Sequence, residues 1–376
     1  MRVDLPEPSE EERAHSERLC ALIRDEIRTN GGAIRFDRYM ELALYAPGLG
    51  YYSAGAEKFG ASGDFVTAPE LGFVFARCLA RAIAPALREK DSEILELGPG
   101  SGALAAELLL ELERAGVLPS RYRLLERSAD LRERQRAALK ERCPHLEKLA
   151  VWLDMPPTSA WRGALIANEI VDALPVRLFE LNANEVFERC VAVDDDNRFV
   201  WRTVAVDESF TCDVDRVLGD ARQALPRPYR SEICLMLAPW FKEVTRTMSG
   251  GDALFIDYGH RRNEYYAATR SEGTVRCHYS HRVHDNPLIL TGLQDITAWV
   301  DFDALTDVAR PSGFHIDELT TQADFLIRNG LEEIFDAAYQ ATDDEIERYR
   351  LAQQVKRLTL PAEMGESFKV MAMHRG

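Results

Sequence analysis

The fold of this chain is decided by the stretch Glu93-Ile-Leu-Glu-Leu-Gly-Pro-Gly-Ser-Gly102. Its first five residues are mostly apolar and predict a short buried strand, and the glycine-rich turn that follows is typical of a strand running into a helix. Glycine at positions 98, 100 and 102 lets a ligand come close to the backbone, because no side chain stands in the way. The stretch therefore predicts a ligand-binding turn in an α/β fold.

Glu96 bears on which ligand this turn binds. A dinucleotide would place its pyrophosphate at the N-terminus of the next helix, and a carboxylate two residues before the first glycine suits that anion badly. S-adenosylmethionine (SAM) carries an ammonium and a sulfonium and no phosphate, so a carboxylate suits it. The pattern Gly98-x-Gly100-x-x-Ala103 also satisfies the loose dinucleotide motif. The turn alone thus favours the methyl donor and leaves both cofactors open.

A second acid ends the next predicted strand, Tyr122-Arg-Leu-Leu-Glu126. At that position the Glu126 carboxylate can accept hydrogen bonds from both hydroxyls of a ribose. The plainer alternative is a surface acid at the end of a strand. Together with Glu96 and the glycines, Glu126 favours SAM over a nicotinamide dinucleotide.

Strands and helices alternate after this point in a regular order. The predicted elements are strand 93–98, helix 101–115, strand 122–127, helix 130–142, strand 149–153, strand 163–168, strand 251–257 and a closing strand 367–374. Such alternation gives a mostly parallel sheet with helices on both faces. We expect the Rossmann-like α/β fold of class I SAM-dependent methyltransferases, with an N-terminal helical extension and inserted segments that build a substrate cleft.

The expected organisation has two parts. Residues 1–69 form N-terminal helices and a glycine-rich cleft loop, and residues 70–376 form the methyltransferase domain. Short alternating strands interrupt the domain pattern and predict insertions at about 176–230 and 260–310.

Two further helices follow from local signals. Thr67-Ala-Pro-Glu70 fits a capping box with proline at an early helical position, and it predicts a helix that continues to about Leu87. Apolar spacing predicts another helix near 231–249.

Ligands in open α/β sheets bind at the carboxyl ends of the strands. Beyond the glycine turn and Glu126, this rule selects Asp154, Asn168-Glu169 and Asp257-Tyr258-Gly259. Asp154 could meet the amine of an adenine, and a plain strand-end turn is the equal alternative.

Three polar residues follow an apolar strand in Asn168-Glu-Ile-Val-Asp-Ala-Leu-Pro175. Asn168 can cap a helix there, with Glu169 and Asp172 favoured by the helix dipole. A fixed carboxylate beside a methyl donor could instead hold a guanidinium, because that pairing is planar and bidentate.

A glycine-rich aromatic segment, residues 45–70, precedes the predicted sheet. Its glycines permit unusual backbone angles, and its aromatic rings can cover a ligand. We expect the methyl acceptor to bind in a cleft between this segment and a strand end. The candidate cleft residues are Tyr51, Asp64, Thr67, Glu70, Asp257 and Tyr258.

Composition narrows the partners. The formal net charge of −16 in 376 residues argues against nucleic acid, which calls for a basic face, and is compatible with a cationic protein segment. The seven cysteines are dispersed without Cys-x-x-Cys spacing, which indicates reduced thiols in the cytoplasm. No stretch approaches a membrane span, and Met1–Arg18 resembles neither a secretory signal nor a transit peptide. A monomer and a homodimer both stay open.

The chain resembles the mitochondrial dysfunction protein A (MidA) family over most of residues 30–302. The matching segments are Gly31-Gly32, Tyr39-Met40, Gly50-Tyr51-Tyr52, Gly63-Asp64-Phe65, Thr67, Pro69-Glu70, Glu96-Leu-Gly-Pro-Gly100, Asn168-Glu169, Asp172-Ala-Leu-Pro175, Asp257-Tyr258-Gly259, Asp295-Ile-Thr297 and Val300-Asp301-Phe302. The family includes a mitochondrial complex I assembly factor, so the resemblance implies a SAM-dependent methyltransferase and, for that relative, symmetric dimethylation of a protein arginine. With no transit peptide in view, we expect a cytoplasmic, bacterial-type member whose substrate the resemblance does not give.

Residue roles follow as hypotheses. Glu169 and Asp172, with Asn168 beside them, would orient an arginine-bearing protein substrate. They would replace the two glutamates on one hairpin loop by which common protein arginine methyltransferases hold the guanidinium, because that loop is not recognisable here. The expected cofactor contacts are Glu96, Gly98, Gly100, Gly102, Glu126, Asp154 and Asn168.

Other interpretations remain. The chain could be a SAM-binding assembly factor with little turnover, a methyltransferase for a small molecule or another side chain, or a dinucleotide oxidoreductase. His278, His281 and His284 also suggest a metal. Methyl transfer needs none, so we expect no metal there and a substrate-loop or packing role instead.

Overall fold

The computed structural model describes residues 5–53, 67–183 and 185–376. The strands in these ranges are β1 (Ala33–Arg35), β2 (Glu93–Leu97), β3 (Arg121–Leu125), β4 (Ala150–Leu153), β5 (Trp161–Asn168), β6 (Arg177–Asn182), β7 (Glu185–Val193), β8 (Phe199–Ala205), β9 (Tyr229–Ile233), β10 (Met248–His260), β11 (Arg276–Tyr279), β12 (Arg282–His284), β13 (Asp295–Thr297), β14 (Val300–Asp301), β15 (His315–Thr321) and β16 (Phe368–Arg375).

The helices in the same ranges are α1 (Glu10–Thr29), α2 (Phe36–Tyr45), α3 (Phe73–Ile83), α4 (Ala103–Arg114), α5 (Ala129–Arg142), α6 (Glu208–Leu218), α7 (Leu237–Thr245), α8 (Arg262–Tyr265), α9 (Phe302–Ala309), α10 (Gln322–Arg328), α11 (Leu331–Ala341), α12 (Glu345–Thr359) and α13 (Met364–Ser367). None of the helices in the described part of the chain has both the length and the apolar composition needed to cross a bilayer.

The central sheet has the strand order β15-β16-β10-β5-β2-β3-β4, and β14 pairs with the end of β10. Neighbouring strands from β10 to β4 are parallel, whereas β16 is antiparallel to both of its neighbours. This mostly parallel sheet confirms the α/β fold predicted from the alternation of strands and helices.

The strand order reverses between β2 and β5. The chain passes from β2 to β3 and β4 on one side, and it then returns to β5 on the other side. A crevice opens at the carboxyl ends of the strands where the order reverses in this way. Leu97 at the end of β2 is paired with Ala167 in β5, so the glycine turn and the segment after Asn168 open onto the same crevice.

Both faces of the sheet are covered because its central strands are apolar on both sides. Strand β2 is buried along its whole length. Ile94 packs in the core that contains α3 and α4, whereas Leu95 and Leu97 pack on the opposite face with α7 and α9. The alternation of side chains along the strand puts Glu96 on the face of Ile94.

The N-terminal helices share a core with both insertions. Strand β1 pairs with β7 in a second sheet of order β1-β7-β6-β9, to which β8 adds through β7. Leu19 and Tyr39 from the helices pack in one cluster with Val191 of the first insertion and Ile296 of the second. This packing sets the end of α2 and the loop after it above the crevice.

The predicted helix from Thr67 to Leu87 is wrong as a single element. A 3-10 turn covers Ala68–Leu71, and Gly72 follows with a φ of 139°, which no helix continues. Helix α3 begins only at Phe73, and the Thr67 side chain caps neither element.

The predicted helix near 231–249 is also shorter than expected. Its first residues belong to β9, because Tyr229–Ile233 forms an antiparallel ladder with β6. Helix α7 then covers Leu237–Thr245, and β10 begins at Met248. Pairing with a distant strand therefore overrides the local apolar spacing.

Candidate active site

A cavity of about 1340 Å³ opens at the carboxyl ends of β2, β3 and β5. The glycine turn, Glu126 and residues 168–174 form one part of its wall, the loop after α2 contributes Tyr52, and the second insertion contributes Asp295. Ligand pockets are usually about 300–1,000 Å³. The cavity therefore has room for a cofactor together with part of an acceptor.

The turn after β2 is open because of its glycines. Gly98, Gly100 and Gly102 all have positive φ, at 56°, 53° and 85°. A Cβ at Gly100 would meet no protein atom within 4 Å, whereas one at Gly102 would lie 2.9 Å from the Cα of Gln135. Gly100 lines the cavity, and Gly102 instead permits close packing of α4 against α5. Gly102 is thus a structural position rather than a wall residue.

Two carboxylates stand beside this turn. Glu96 is 3% exposed and accepts a hydrogen bond of 2.7 Å from the Tyr122 hydroxyl, and burial raises its pKa to about 7. Glu126 follows β3 and accepts bonds from the Ser128 amide at 2.8 Å and from Gln135 at 3.3 Å; burial raises its pKa as well. Both residues line the cavity, so it offers acceptors for cationic groups and hydroxyls.

The segment after β5 turns through Glu169, whose φ is 53°. Such a value is uncommon outside glycine, and surrounding contacts must maintain it. Asp257 does so, because its Oδ2 accepts bonds from the amides of Val171 and Asp172 at 3.0 and 3.2 Å. The Asn168 amide donates to Glu169 Oε1 at 3.1 Å. The side chains predicted as catalytic, Asn168, Glu169 and Asp172, therefore lie together in the cavity wall.

These carboxylates carry strongly perturbed pKa values. Burial, and then the charge of Asp172, raises the pKa of Glu169 to about 8. Burial raises the pKa of Asp172 to about 6, although the Tyr258 hydroxyl donates to it and lowers the pKa. In the described part of the chain, Oδ1 of Asp172 and Oδ1 of Asn168 are buried without a hydrogen-bond partner. A cation in the cavity would meet unused acceptors and would favour the charged carboxylates.

These pKa values predict a loss of stability of the ligand-free protein at alkaline pH. The pKa of Glu169 is raised from 4.5 to about 8, so its contribution to stability is complete below 4.5 and is lost as the pH rises through about 8. We expect Tm to fall between pH 6 and pH 8.5, and to fall less in Glu169→Gln by at least about 2 °C. Calorimetry of both proteins tests this, and parallel Tm curves would contradict the raised pKa of Glu169.

The aromatic loop brings Tyr52, and not Tyr51, to the cavity. Tyr51 is 2% exposed and packs in the core shared by the N-terminal helices and the insertions. The Tyr52 ring stacks on Tyr45 at 5.6 Å, and its hydroxyl donates to Asp295 Oδ1 at 2.9 Å. Because adjacent side chains here point to different sides, the structure corrects the prediction that Tyr51 lines the cleft.

Thr67 and Glu70 line the cavity as predicted cleft residues. Glu70 accepts a hydrogen bond from the Ser101 hydroxyl, so the 3-10 turn is tied to the glycine turn. Asp64, the remaining candidate of that loop, lies outside the described residues.

Two further candidates do not reach the cavity wall. The Asp154 side chain is 78% exposed and pairs with Arg132 at 2.6 Å, because β4 ends one strand farther out than β3. Asp257 is 1% exposed and lies behind the segment whose amides it holds. Its neighbour Tyr258 does line the cavity and contacts Asp172. The structure thus corrects the expected ligand contacts of Asp154 and Asp257.

The three histidines of the second insertion diverge. His278 lies in β11 and lines the cavity, His281 sits in the turn before β12 with a φ of 60°, and His284 pairs with Cys277 across the hairpin. Within residues 5–53, 67–183 and 185–376, no group of three or more His, Cys, Asp or Glu side chains is arranged to hold a metal.

The residue that the sequence interpretation missed is Asp295. It lies in β13, is 3% exposed and lines the cavity. Its one signal was its place in a segment that matches the MidA family, and nothing local connects it with Glu169. The folding of the second insertion over the sheet is what brings the two together.

A family model described as S-adenosyl-L-methionine-dependent methyltransferase matches residues 78–320. That range contains the glycine turn and the acidic residues of the cavity. The chain belongs to this family. The methyltransferase therefore uses SAM, which decides between the two cofactors that the turn alone left open.

Known relatives agree with this assignment and confirm the resemblance to the MidA family. A COG1565 superfamily member from Burkholderia thailandensis, solved bound to S-adenosyl-homocysteine, is 39% identical and matches 99% of this chain and 95% of that chain with a TM-score of 0.93. Protein arginine methyltransferase NDUFAF7 of Bos taurus is 28% identical over 91% of this chain and 80% of its own. The Drosophila melanogaster homolog is 28% identical over 99% and 88%.

The geometry of the cavity fits SAM. The free space at Gly100 lets a ligand lie against the backbone. Glu126 offers acceptors for the sugar hydroxyls, and the buried oxygens of Glu96 and Asn168 suit positively charged groups.

Proposed function

We propose that this methyltransferase methylates arginine side chains of a protein substrate, and that Glu169 and Asp172 hold the arginine. The observation that carries the proposal is the pair of buried carboxylates beside the glycine turn, with Oδ1 of Asp172 left unpartnered among the described residues. A guanidinium offsets such charge in planar, bidentate pairs. The name of the curated relatives, protein arginine methyltransferase, supports the same class of acceptor.

The cofactor is assigned to the part of the cavity built by the glycine turn and Glu126. In this proposal Gly98 and Gly100 allow close approach to the backbone, Glu126 accepts bonds from the ribose hydroxyls, and Glu96 and Asn168 face the cationic groups. When bound there, SAM supplies an electrophilic methyl group on a positively charged sulfur.

The two acidic residues orient the nucleophile. Tyr258 fixes Asp172, and Asn168 fixes Glu169, so both carboxylates are held before the acceptor binds. Their bonds to the guanidinium set one nitrogen in line with the methyl group, and positioning of this kind supplies most of the rate.

The reaction also needs a proton acceptor. A guanidinium nitrogen forms its bond to the methyl carbon as the carbon–sulfur bond breaks, and the nitrogen gives up one proton. Free arginine keeps that proton at neutral pH, since its pKa is above about 12. Glu169, with a pKa of about 8 in the fold, binds a proton more readily than an ordinary carboxyl and is assigned this task.

The test uses purified protein, SAM labelled with tritium in the methyl group, and a lysate from cells that lack this protein. Acid hydrolysis of the labelled protein fraction should release the label as methylarginine. Label in a different amino acid, or only in small molecules, would contradict arginine as the acceptor. Tight SAM binding in calorimetry without any transfer would favour a SAM-binding assembly factor.

The proposed ribose contact gives a prediction with an internal control. Glu126→Gln should weaken SAM binding about 10-fold or more, because a hydrogen bond to a charged group is worth about 1.5–3 kcal/mol. Asp154→Asn alters the exposed carboxylate after the adjacent strand and should leave the affinity unchanged. Calorimetric titration with SAM measures both, and equal losses would contradict the assignment of Glu126.

A further inference from the structure

Asp295 is the buried carboxylate that the second insertion brings to the acceptor part of the cavity. It shares the cavity wall with Glu169 and Asp172. The β11–β13 ladder pairs it with His278, another wall residue, so the small sheet fixes its backbone. The Ile296 amide donates to its Oδ1 at 2.9 Å. Burying a carboxylate is costly, and one placed in a cleft is a candidate for function.

The N-terminal part supplies the hydroxyl that orients Asp295. Tyr52 donates to Asp295 Oδ1 at 2.9 Å and stacks on Tyr45. The Tyr45 hydroxyl in turn donates to the carbonyl of Ala173 at 2.9 Å. Ala173 follows Asp172 in the chain, so two stacked tyrosines connect the surroundings of both acids. The carboxylate of Asp295 is therefore positioned as firmly as that of Asp172.

Electrostatic coupling shows that the three acids surround one space. Burial is the largest cause of the raised pKa values of Glu169, Tyr45 and Tyr52, and the charge of Asp295 adds to all three. Asp172 adds to the same three values. Since such effects weaken with distance, Asp172 and Asp295 act on the same part of the cavity.

We propose that Asp295 binds the acceptor guanidinium together with Glu169 and Asp172, and that Tyr52 positions it. The inference rests on the proposed function, because it takes the acceptor to be arginine. A guanidinium has five N–H donors in one plane, and two bidentate carboxylates use four of them. A third carboxylate answers the remaining donor. The pocket would therefore select a guanidinium over a neutral group of the same shape.

Binding of two matched peptides tests this without relying on turnover. The probes are acetyl-Gly-Gly-Arg-Gly-Gly-amide and the same peptide with citrulline, which keeps the shape of arginine and lacks its charge. Each is titrated in the presence of saturating S-adenosyl-homocysteine. We expect the wild type to prefer the arginine peptide about 100-fold, and Asp295→Asn to lower that preference at least about 10-fold, in line with the loss of one charged hydrogen bond.

Two further variants complete the test. Tyr52→Phe keeps the carboxylate and removes only its hydroxyl partner, so it should lower the preference about 3-fold and remains informative if Asp295→Asn does not fold. Asp285→Asn, an exposed acid of the same insertion that is not in the cavity wall, should behave as wild type. A wild-type preference that survives in both Asp295→Asn and Tyr52→Phe would overturn the inference alone. Equal binding of both peptides by the wild type would overturn the proposed function as well.

Discussion

Replacing Glu169 with glutamine is expected to lower methyl transfer to an arginine acceptor about 10²- to 10³-fold, the usual loss when one preorganised charged contact is removed from an active site. Glutamine keeps the Oε1 atom that accepts the bond from Asn168, so the local shape is preserved. It can neither offset the guanidinium charge nor take up its proton. The affinity for SAM should stay unchanged.

Initial rates at saturating SAM measure the first effect, and calorimetry measures the second. A suitable control is Glu243→Gln, because Glu243 lies on the exposed side of α7 while Trp240 and Val244 of the same helix line the cavity. This control should retain the wild-type rate. Full activity of Glu169→Gln would remove Glu169 from the mechanism.

Replacing Gly100 with valine should weaken SAM binding at least about 100-fold, since filling a space that a ligand needs costs up to about 3 kcal/mol. Gly100 combines a φ of 53° with open space toward the cavity. A valine there would strain the left-handed backbone and would also put its methyl groups where the cofactor lies.

Gly116→Val separates these two costs. Gly116 has a φ of 70°, and a Cβ at this position would also meet no protein atom within 4 Å, yet the residue lies just beyond α4 and outside the cavity wall. Both variants should lose stability through backbone strain of about 1–2 kcal/mol. Only Gly100→Val should also lose the rise in Tm that S-adenosyl-homocysteine gives. An undiminished rise in that variant would place the cofactor elsewhere.

The cofactor half of the site could be predicted from the sequence because it is local. The glycine turn and Glu126 lie within one strand-helix-strand unit, and apolar periodicity locates that unit. The family match confirms SAM as the cofactor. The general rule that ligands bind at the carboxyl ends of parallel strands then brought Asn168 and Glu169 into view.

The acceptor half depends on contacts between distant parts of the chain. Tyr52 and Asp295 meet because the N-terminal helices and both insertions share one core, and no short-range pattern encodes that meeting. The choice of Tyr52 over Tyr51 depends on the backbone path after α2, which spacing alone does not give. Asp257 was selected by its place near a strand end, yet its carboxylate holds backbone amides behind the cavity.

Quantitative proteomics of methylated arginine tests the central claim most directly. Cells that lack this protein are compared with cells that regain the wild type or Glu169→Gln at equal abundance. The account predicts a defined set of methylarginine sites that disappears with the protein, returns with the wild type and does not return with the variant. No change in any methylarginine site, or full restoration by Glu169→Gln, would contradict it.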